Sequence, residues 1–335
     1  MTHPNITILI PIKNVAKYIK ECLDALLNQS YPADKYEVWL LDNNSDDGTL
    51  EIIANYPKDR VKIVQTGIDS PPIKYNKILP LIKSEIIGLV DGDANVDRDW
   101  LVKVVEPLDD PKVAGACGVI LTANKNKLIP RIIGYELQDR YEKMPREIKR
   151  AATMHIVYRR KIIEEVDGFN ENLKTGYDAE IGHKINNAGY KIIFVKDAKV
   201  WHNHRETLKA FFKQQYEYGK FAIIRYFKMP KMFKGDNVSS FWMISQPLFY
   251  AASFVLFILR LFFDFPWFLV FVPVLILFIA YLFSALRLSL KYKDASAMFA
   301  IVIYVLRPIG WSLGAISALP SLFKTYLKHE NMYLR

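Results

Sequence analysis

The sequence predicts an α/β domain, a mostly parallel sheet flanked by helices, followed by C-terminal transmembrane helices. Two observations predict it. Up to about Asp236 the apolar residues come in short runs broken by charges, whereas beyond Phe241 they form long, nearly uncharged blocks. Within the first part, strand-like runs alternate with stretches of helical spacing, the pattern of a sheet covered on both faces.

The elements follow in order. Ile6–Ile12 is a β-rich run, Ala16–Leu27 has helical spacing, and Tyr36–Leu41 is a second apolar strand. Thr49–Asn55 is expected as a helix, Val61–Gln65 as a strand, and Ile73–Ile82 as a helix. Ile86–Val90 is a buried strand that stops at Asp91-Gly92-Asp93. In open α/β sheets ligands bind just beyond the carboxyl ends of the strands. The polar clusters fall there: Lys13-Asn14 after the first strand, Asp42-Asn43-Asn44-Ser45 after the second, Asp91 to Asp93 after the fourth. The second or the third cluster alone is also a good turn or helix cap; the common placement of all three at strand ends points to a ligand.

Composition narrows the class. The net charge of +10 fits an anionic bilayer surface better than nucleic acid, given the hydrophobic blocks beside it. Two cysteines, Cys22 and Cys117, are too few for a disulfide framework or a zinc site. A dinucleotide-binding fold is disfavoured because no G-x-G-x-x-G follows the first strand. Pro11-Ile12-Lys13-Asn14 likewise lacks the glycine-rich loop of a sugar nucleotidyltransferase. No secretory leader pattern opens the chain, so the catalytic part is expected to be cytoplasmic.

From about Ile6 to Lys220 the chain resembles glycosyltransferase family 2, the inverting enzymes of GT-A fold. The likeness rests on Ile10-Pro11-Ile12-Lys13-Asn14, on the acidic loop Leu41-Asp42-Asn43-Asn44-Ser45-Asp46-Asp47-Gly48-Thr49, and on the D-x-D of Asp91-Gly92-Asp93. It continues through Tyr158-Arg159-Arg160, Val166-Asp167-Gly168-Phe169, Gly176-Tyr177-Asp178-Ala179-Glu180-Ile181, Gly189-Tyr190-Lys191-Ile192 and Val200-Trp201-His202. The resemblance implies a UDP- or GDP-sugar donor and a Mn²⁺ or Mg²⁺ cofactor. Hard divalent ions take carboxylate oxygens and offset the charge of a departing diphosphate. Asp93 is then the main metal ligand, Asp91 serves the metal or the donor ribose, and Asp42 bonds the base or ribose beside Pro11 and Lys13. Asp69 is either a contact to the base or part of the turn Asp69-Ser70-Pro71. His202 either completes the metal shell or is structural. Lys220 and Arg205 are candidates for closing on the diphosphate.

Asp178 is the candidate general base for an acceptor hydroxyl, although it also suits an N-cap for a helix over 179–187. Tyr177 stands where the family usually has Glu. Processive members carry Q-x-x-R-W, and here Gln214-Gln215-Tyr216-Glu217-Tyr218-Gly219 has no Arg-Trp, which favours addition of one sugar. The alternatives are a polysaccharide synthase or a non-catalytic membrane scaffold.

Domain boundaries follow composition: a catalytic domain over 1–204, an interfacial segment over 205–238, a transmembrane domain over 239–325 and a tail over 326–335. Arg205 to Lys234 carries eight Lys or Arg against two Glu, interleaved with aromatic residues, as expected of an amphipathic helix on an anionic leaflet. Phe241–Leu259 has nineteen uncharged residues, about 28 Å of helix, enough to span. With the block over 265–286 it forms an expected hairpin around Asp264-Phe265-Pro266. Arg287, Lys291 and Lys293 then return to the catalytic side. A third block over 295–323 is interrupted by Arg307-Pro308. As one span it would put Lys324, Lys328 and Arg335 outside, against the positive-inside tendency; as two half-helices meeting there, the favoured reading, it brings them back inside. An intramembrane Arg is costly, so Arg307 needs a lipid phosphate, a carboxylate or carbonyls. The expected acceptor is lipid-linked, a polyprenyl-phosphate or a polyprenyl-diphosphate-linked glycan, and the expected location is the cell membrane, multi-pass.

Overall fold

The computed structural model describes residues 3–333; after Pro320, the only side chain it describes is Leu322. The chain begins β1 (Ile6–Ile12), α1 (Ile19–Leu27), β2 (Tyr36–Asp42), α2 (Thr49–Ile53), β3 (Val61–Gln65), α3 (Pro71–Ile78) and β4 (Ile86–Val90). It continues through β5 (Ala94–Val96), α4 (Trp100–Val105), β6 (Val113–Thr122), α5 (Leu128–Glu142), β7 (Glu147–Ile148), β8 (His155–Arg159), α6 (Arg160–Glu165), α7 (Tyr177–Asn187) and β9 (Lys191–His202). Four helices follow: α8 (Leu208–Lys228), α9 (Phe241–Arg260), α10 (Phe268–Tyr292) and α11 (Ala300–Tyr333).

The chain splits into two compact units, 1–124 with 137–203, and 125–136 with 204–335. Residues 125–136 therefore differ from their expected place in the catalytic domain; α5 is divided between the units at Glu136.

The first unit is a mixed sheet in the order β3-β2-β1-β4-β8-β6-β9-β5, with β7 also on β9. β1 to β4 are mutually parallel where they pair, and β8 then runs antiparallel to both β4 and β6. The parallel half follows from β1 being buried on both faces, which only a sheet covered by helices allows. Ile6, Ile8, Ile10 and Ile12 share a core with Cys22, Leu23 and Leu26 of α1 and with Trp100, Leu101 and Val104 of α4. Each such side chain contributes roughly 1.5–3 kcal/mol by burial. A second apolar group joins Tyr75 of α3, Phe169 and Tyr177, with ring centroids 5.2 and 6.3 Å from Tyr75.

The seam where the sheet turns antiparallel is held by His155, fully buried and opposite Val90. Its Nε2–H donates to the Gly118 carbonyl at 2.7 Å. Burial pulls its pKa down to about 4, partly offset by that bond, so the ring is neutral. Gly118 sits at a register slip between β6 and β9. A Cβ there would collide with the Ala198 carbonyl, so only glycine lets the strands come this close.

The second unit consists of helices. α9 and α10 are long enough and apolar enough to cross a membrane, as is the stretch Ala295–Pro320. The expected break at Arg307-Pro308 is absent: α11 runs through both Pro308 and Pro320. Arg307 meets a carboxylate, its two terminal nitrogens bonding both Glu136 oxygens, one at 2.7 Å. Arg131 pairs with Asp294 at 3.2 Å, and the Tyr135 hydroxyl donates to the same carboxylate at 3.0 Å. These contacts tie residues 125–136 to the helices and explain why they leave the first unit. Gly310 and Gly314 of α11 face α8, where a Cβ would run into Gln215 and the Tyr216 backbone respectively. Such small-residue contacts bring helix backbones together. Arg335 lies outside the described residues, as do the side chains of Lys324 and Lys328.

The His155 ring gives a pH expectation. Its folded pKa lies below the unfolded value of 6.5, so the unfolded chain binds the extra proton between pH 6.5 and 4. Stability from this group is complete above pH 6.5 and falls as the pH drops towards 4. Thermal unfolding of the purified protein should show a lower midpoint at pH 5 than at pH 7, and His155→Gln should flatten that slope.

Candidate active site

The site is built on the carboxyl ends of β1, β2 and β4. Parallel pairing sets Ile12 beside Asp42 and Leu9 beside Leu89, so the loops after the three strands emerge together. The first two loops are laced to each other. Asn14 N–H donates to Ser45 Oγ at 3.0 Å, Asp46 N–H to Asn14 Oδ1 at 3.0 Å, and Val15 N–H to Thr49 Oγ1 at 2.9 Å. Asn14 and Asn44 adopt left-handed backbone, φ 52° and 53°, a conformation Asn tolerates better than most residues.

Asp42 is completely buried and accepts from Ser45 Oγ at 2.6 Å and from Ser45 N–H. Its carboxylate thus shapes the loop from within. Lys74, which the sequence reading passed over, is buried beneath the same loop. Its ammonium donates to carbonyls near the ends of two strands, Leu41 at 2.9 Å and Ile12 at 3.4 Å. Burial lowers its pKa to about 8, although Asp42 and Asp69 favour the charge. The helical spacing of Lys74 with Tyr75 and Ile78, which puts it on the inward face of α3, was the available signal.

Asp69 is exposed and pairs with Lys174 at 2.9 Å. Lys174, Lys13 and Lys74 together hold its carboxyl below the usual range. Asn43 Nδ2–H donates to its other oxygen at 3.4 Å. Lys13 is exposed and Pro11 half-buried. Lys13 and Asp69 are thus exposed at this end of the sheet beside half-buried Pro11, while Asp42 and Lys74 lie buried beneath the loops.

Beyond β4 the chain turns at Asp91-Gly92-Asp93 and returns as β5. The antiparallel pairing of β5 with β9 puts His202 opposite Ala94, which carries the imidazole to the acidic turn. His202 Nε2 lies 3.3 Å from Asp93 Oδ1. Asp91, Asp93 and His202 are each half-buried, and their ligand atoms all lie within 4.8 Å of one another. Two carboxylates and an imidazole are a donor set that suits a divalent ion such as Mn²⁺ or Mg²⁺. Cys22 lies underneath, its thiol 3.6 Å from the Asp91 carbonyl and pushed up by burial and by both aspartates.

Asp178 is the second residue of α7. The helix is capped by Gly176, φ 77°, and no side-chain cap bond is made, so the capping role considered for Asp178 is not the one it takes. Its Oδ2 accepts from Arg150 Nε–H at 2.7 Å. The Tyr177 hydroxyl, within 3.1 Å of Thr153 Oγ1, is raised by burial and by the charges of both Asp91 and Asp178. Arg205, exposed, and Lys220, half-buried, belong to the second unit.

A sheet with an acidic nucleotide-type loop and a carboxylate–imidazole cluster at its strand ends defines a glycosyltransferase of GT-A fold that acts on nucleotide sugars. The chain belongs to the family described as Glycosyltransferase like family 2, which it matches over residues 3–216. Glycosyltransferase AglE of Haloferax volcanii is 27% identical over 230 residues, covering 65% of this chain and 73% of that protein. A Methanococcus voltae enzyme named dolichyl N-acetyl-alpha-D-glucosaminyl phosphate 3-beta-D-2,3-diacetamido-2,3-dideoxy-beta-D-glucuronosyltransferase is 26% identical over 230 residues, covering 64% and 71%. Among solved structures, the mannosyltransferase PcManGT of Pyrobaculum calidifontis, in complex with GDP-Man and Mn²⁺, has the same fold. Its TM-score is 0.63 at 18% identity, covering 95% of this chain and 88% of that one.

Removal of Asp93 gives the test of the cluster. Asp93→Ala should abolish the Mn²⁺ stimulation of nucleotide-sugar binding, measured calorimetrically, with the circular dichroism spectrum unchanged. Chelation should do the same to the wild type. Retained metal-stimulated binding in Asp93→Ala would remove this residue from the ligand set.

Proposed function

We propose that this protein is a membrane-anchored, metal-dependent, inverting glycosyltransferase that adds one sugar to a lipid-linked acceptor, a polyprenyl-phosphate or a polyprenyl-diphosphate-linked glycan. The observation that carries it is the Asp91–Asp93–His202 cluster, in the same unit of the chain as Asp178. One part is suited to a diphosphate and the other to a hydroxyl.

In this reading the nucleotide of a UDP- or GDP-sugar sits at the mouth formed by Pro11, Lys13, Asp42 and Asp69, with the lysine ammoniums drawing in the dianion. Asp93, Asp91 and His202 would hold Mn²⁺ or Mg²⁺, which when bound offsets the charge on the departing diphosphate. With a glycan acceptor, its hydroxyl attacks the anomeric carbon on the face opposite the diphosphate. A new C–O bond forms, the bond to the diphosphate oxygen breaks with its electron pair, and Asp178 takes the hydroxyl proton. A polyprenyl-phosphate, already ionised, would attack through a phosphate oxygen and leave no proton for Asp178 to take. The configuration inverts, and the nucleoside diphosphate is the leaving group. Arg205 and Lys220 are proposed to meet that diphosphate from the segment after β9. A dolichyl-phosphate-linked substrate in the name of the Methanococcus relative supports a lipid-borne acceptor. Single addition is supported by the missing Arg-Trp after Gln215, whose Oε1 accepts from Trp311 Nε1–H at 3.0 Å instead.

We place the catalytic part on the cytoplasmic side, with α9 and α10 as a transmembrane hairpin whose short outer turn holds Asp264. Arg260, next to that turn, is neutralised by Asp264 at 2.8 Å, so the turn carries no net charge to hold inside. α11 is proposed to remain at the cytoplasmic face. α8 carries Lys209, Lys213, Glu217, Lys220 and Lys228 and packs over Gly310 and Gly314 near the middle of α11. A helix so charged cannot sit at the bilayer centre, so the part of α11 it covers cannot either.

Two measurements test this reading. Asp178→Asn should bind donor and metal normally but lose nucleoside diphosphate release in the presence of acceptor lipid extract by about 10²–10⁴-fold. Near-normal turnover would end its role as base. For the membrane, single cysteines are placed on a background lacking Cys22 and Cys117. A membrane-impermeant outside reagent should label position 264 but neither 292 nor 330. Labelling at 330 would make α11 a third span, and the reverse pattern at 264 and 292 would invert the topology.

A further inference from the structure

We propose that Arg150 is a positioning residue for Asp178, an inference that rests on the reading of Asp178 as the general base. Asp178, Gly182 and Asn186 are spaced four apart on α7, so they lie on one face of the helix. All three meet the same short stretch of chain, Lys149–Arg150. Arg150 Nε–H donates to Asp178 Oδ2 at 2.7 Å. A Cβ on Gly182 would collide with the Lys149 carbonyl and lie 3.3 Å from Arg150 Cα, so glycine at this position lets the two backbones touch. Asn186 Nδ2–H donates to the Lys149 carbonyl at 3.1 Å. The backbone that carries the guanidinium is thereby fixed to the helix that carries the carboxylate.

The geometry points to orientation as the purpose. The two side chains are 16% and 13% exposed, so water competes little for the bond, and a charge-assisted bond in such surroundings is strong. It engages Oδ2 alone and leaves Oδ1 without a hydrogen-bond partner among the described residues, available to an acceptor proton. The planar edge of a guanidinium fixes the carboxylate's rotation in a way that an ammonium on a flexible stem does not. A catalytic group misplaced by about 1 Å can lose on the order of 10²-fold in rate.

The experiment uses the full-length protein in membranes or detergent, with nucleoside diphosphate release as the readout. Arg150→Met is expected to lower kcat by about 10²-fold while donor KM and Mn²⁺-stimulated donor binding stay at wild-type values. Arg150→Lys should show a smaller loss, and it also covers the case in which Arg150→Met does not fold. Added methylguanidine should restore part of the activity of Arg150→Ala and none of that of Asp178→Asn. If the two groups act as a unit, Asp178→Asn combined with Arg150→Met should be no slower than Asp178→Asn alone. The proposal is overturned if Asp178→Asn is inactive but Arg150→Met or Arg150→Lys retains wild-type kcat per folded molecule. Loss of thermal stability alone, at unchanged kcat, would leave Arg150 as an ordinary ion pair. A different result, near-normal turnover in Asp178→Asn, would bring down the base assignment itself and not only the role of Arg150.

Discussion

The rest of the first unit depends on the parallel register of β2, β1 and β4. It makes three strands end at one edge, and so gathers loops that are about thirty and fifty residues apart in the chain into one mouth. Backbone carbonyls near the ends of these strands need partners. Lys74 donates to two of them, Ile12 and Leu41, the first of which also accepts from Asn43 N–H. Burying an ammonium is costly, and the cost is offset by these carbonyls and by the nearby charges of Asp42 and Asp69. The layer beneath these loops is thus an electrostatic assembly rather than an apolar one.

Much of this was legible in the sequence because β1, β2 and β4 are uninterrupted apolar runs that stop at polar clusters. Their ends fell within a residue of the expected positions. Asp91 and Asp93 were legible for the same reason. His202 was only half so: its residue type suggested a ligand, but its approach to Asp93 depends on β5, a three-residue strand too short to have a readable period. Lys74 and Arg150 act through backbone carbonyls and a single carboxylate that sequence spacing cannot pair. Asp178 was read correctly as lying at the start of a helix, yet the cap fell to Gly176, because an αL glycine two residues earlier already ends the loop.

In the second unit the misjudged feature was Arg307-Pro308. A proline removes one hydrogen bond and crowds the preceding turn, which makes a break the natural expectation. Here the helix continues, and the charged neighbour is accommodated by the bidentate contact with Glu136. Glu136 comes from a segment that looks, by sequence, like part of the catalytic domain. The same segment supplies Arg131 and Tyr135 to Asp294. No local pattern announces this, since each partner lies more than 150 residues away along the chain.

The contact between α8 and α11 bears on how the protein can be handled. α8 follows directly after the last strand of the sheet, and its sequence invites a soluble fragment that stops just before the first apolar block, near residue 238. Such a fragment would strip α11 from Gln215 and Gly219, both buried, and take from Phe211 the apolar helix residues it packs among. Apolar surface exposed in this way drives aggregation. A boundary at Asn203, with residues 125–136 redesigned for solvent, follows the division of the molecule more closely than any cut chosen from hydropathy.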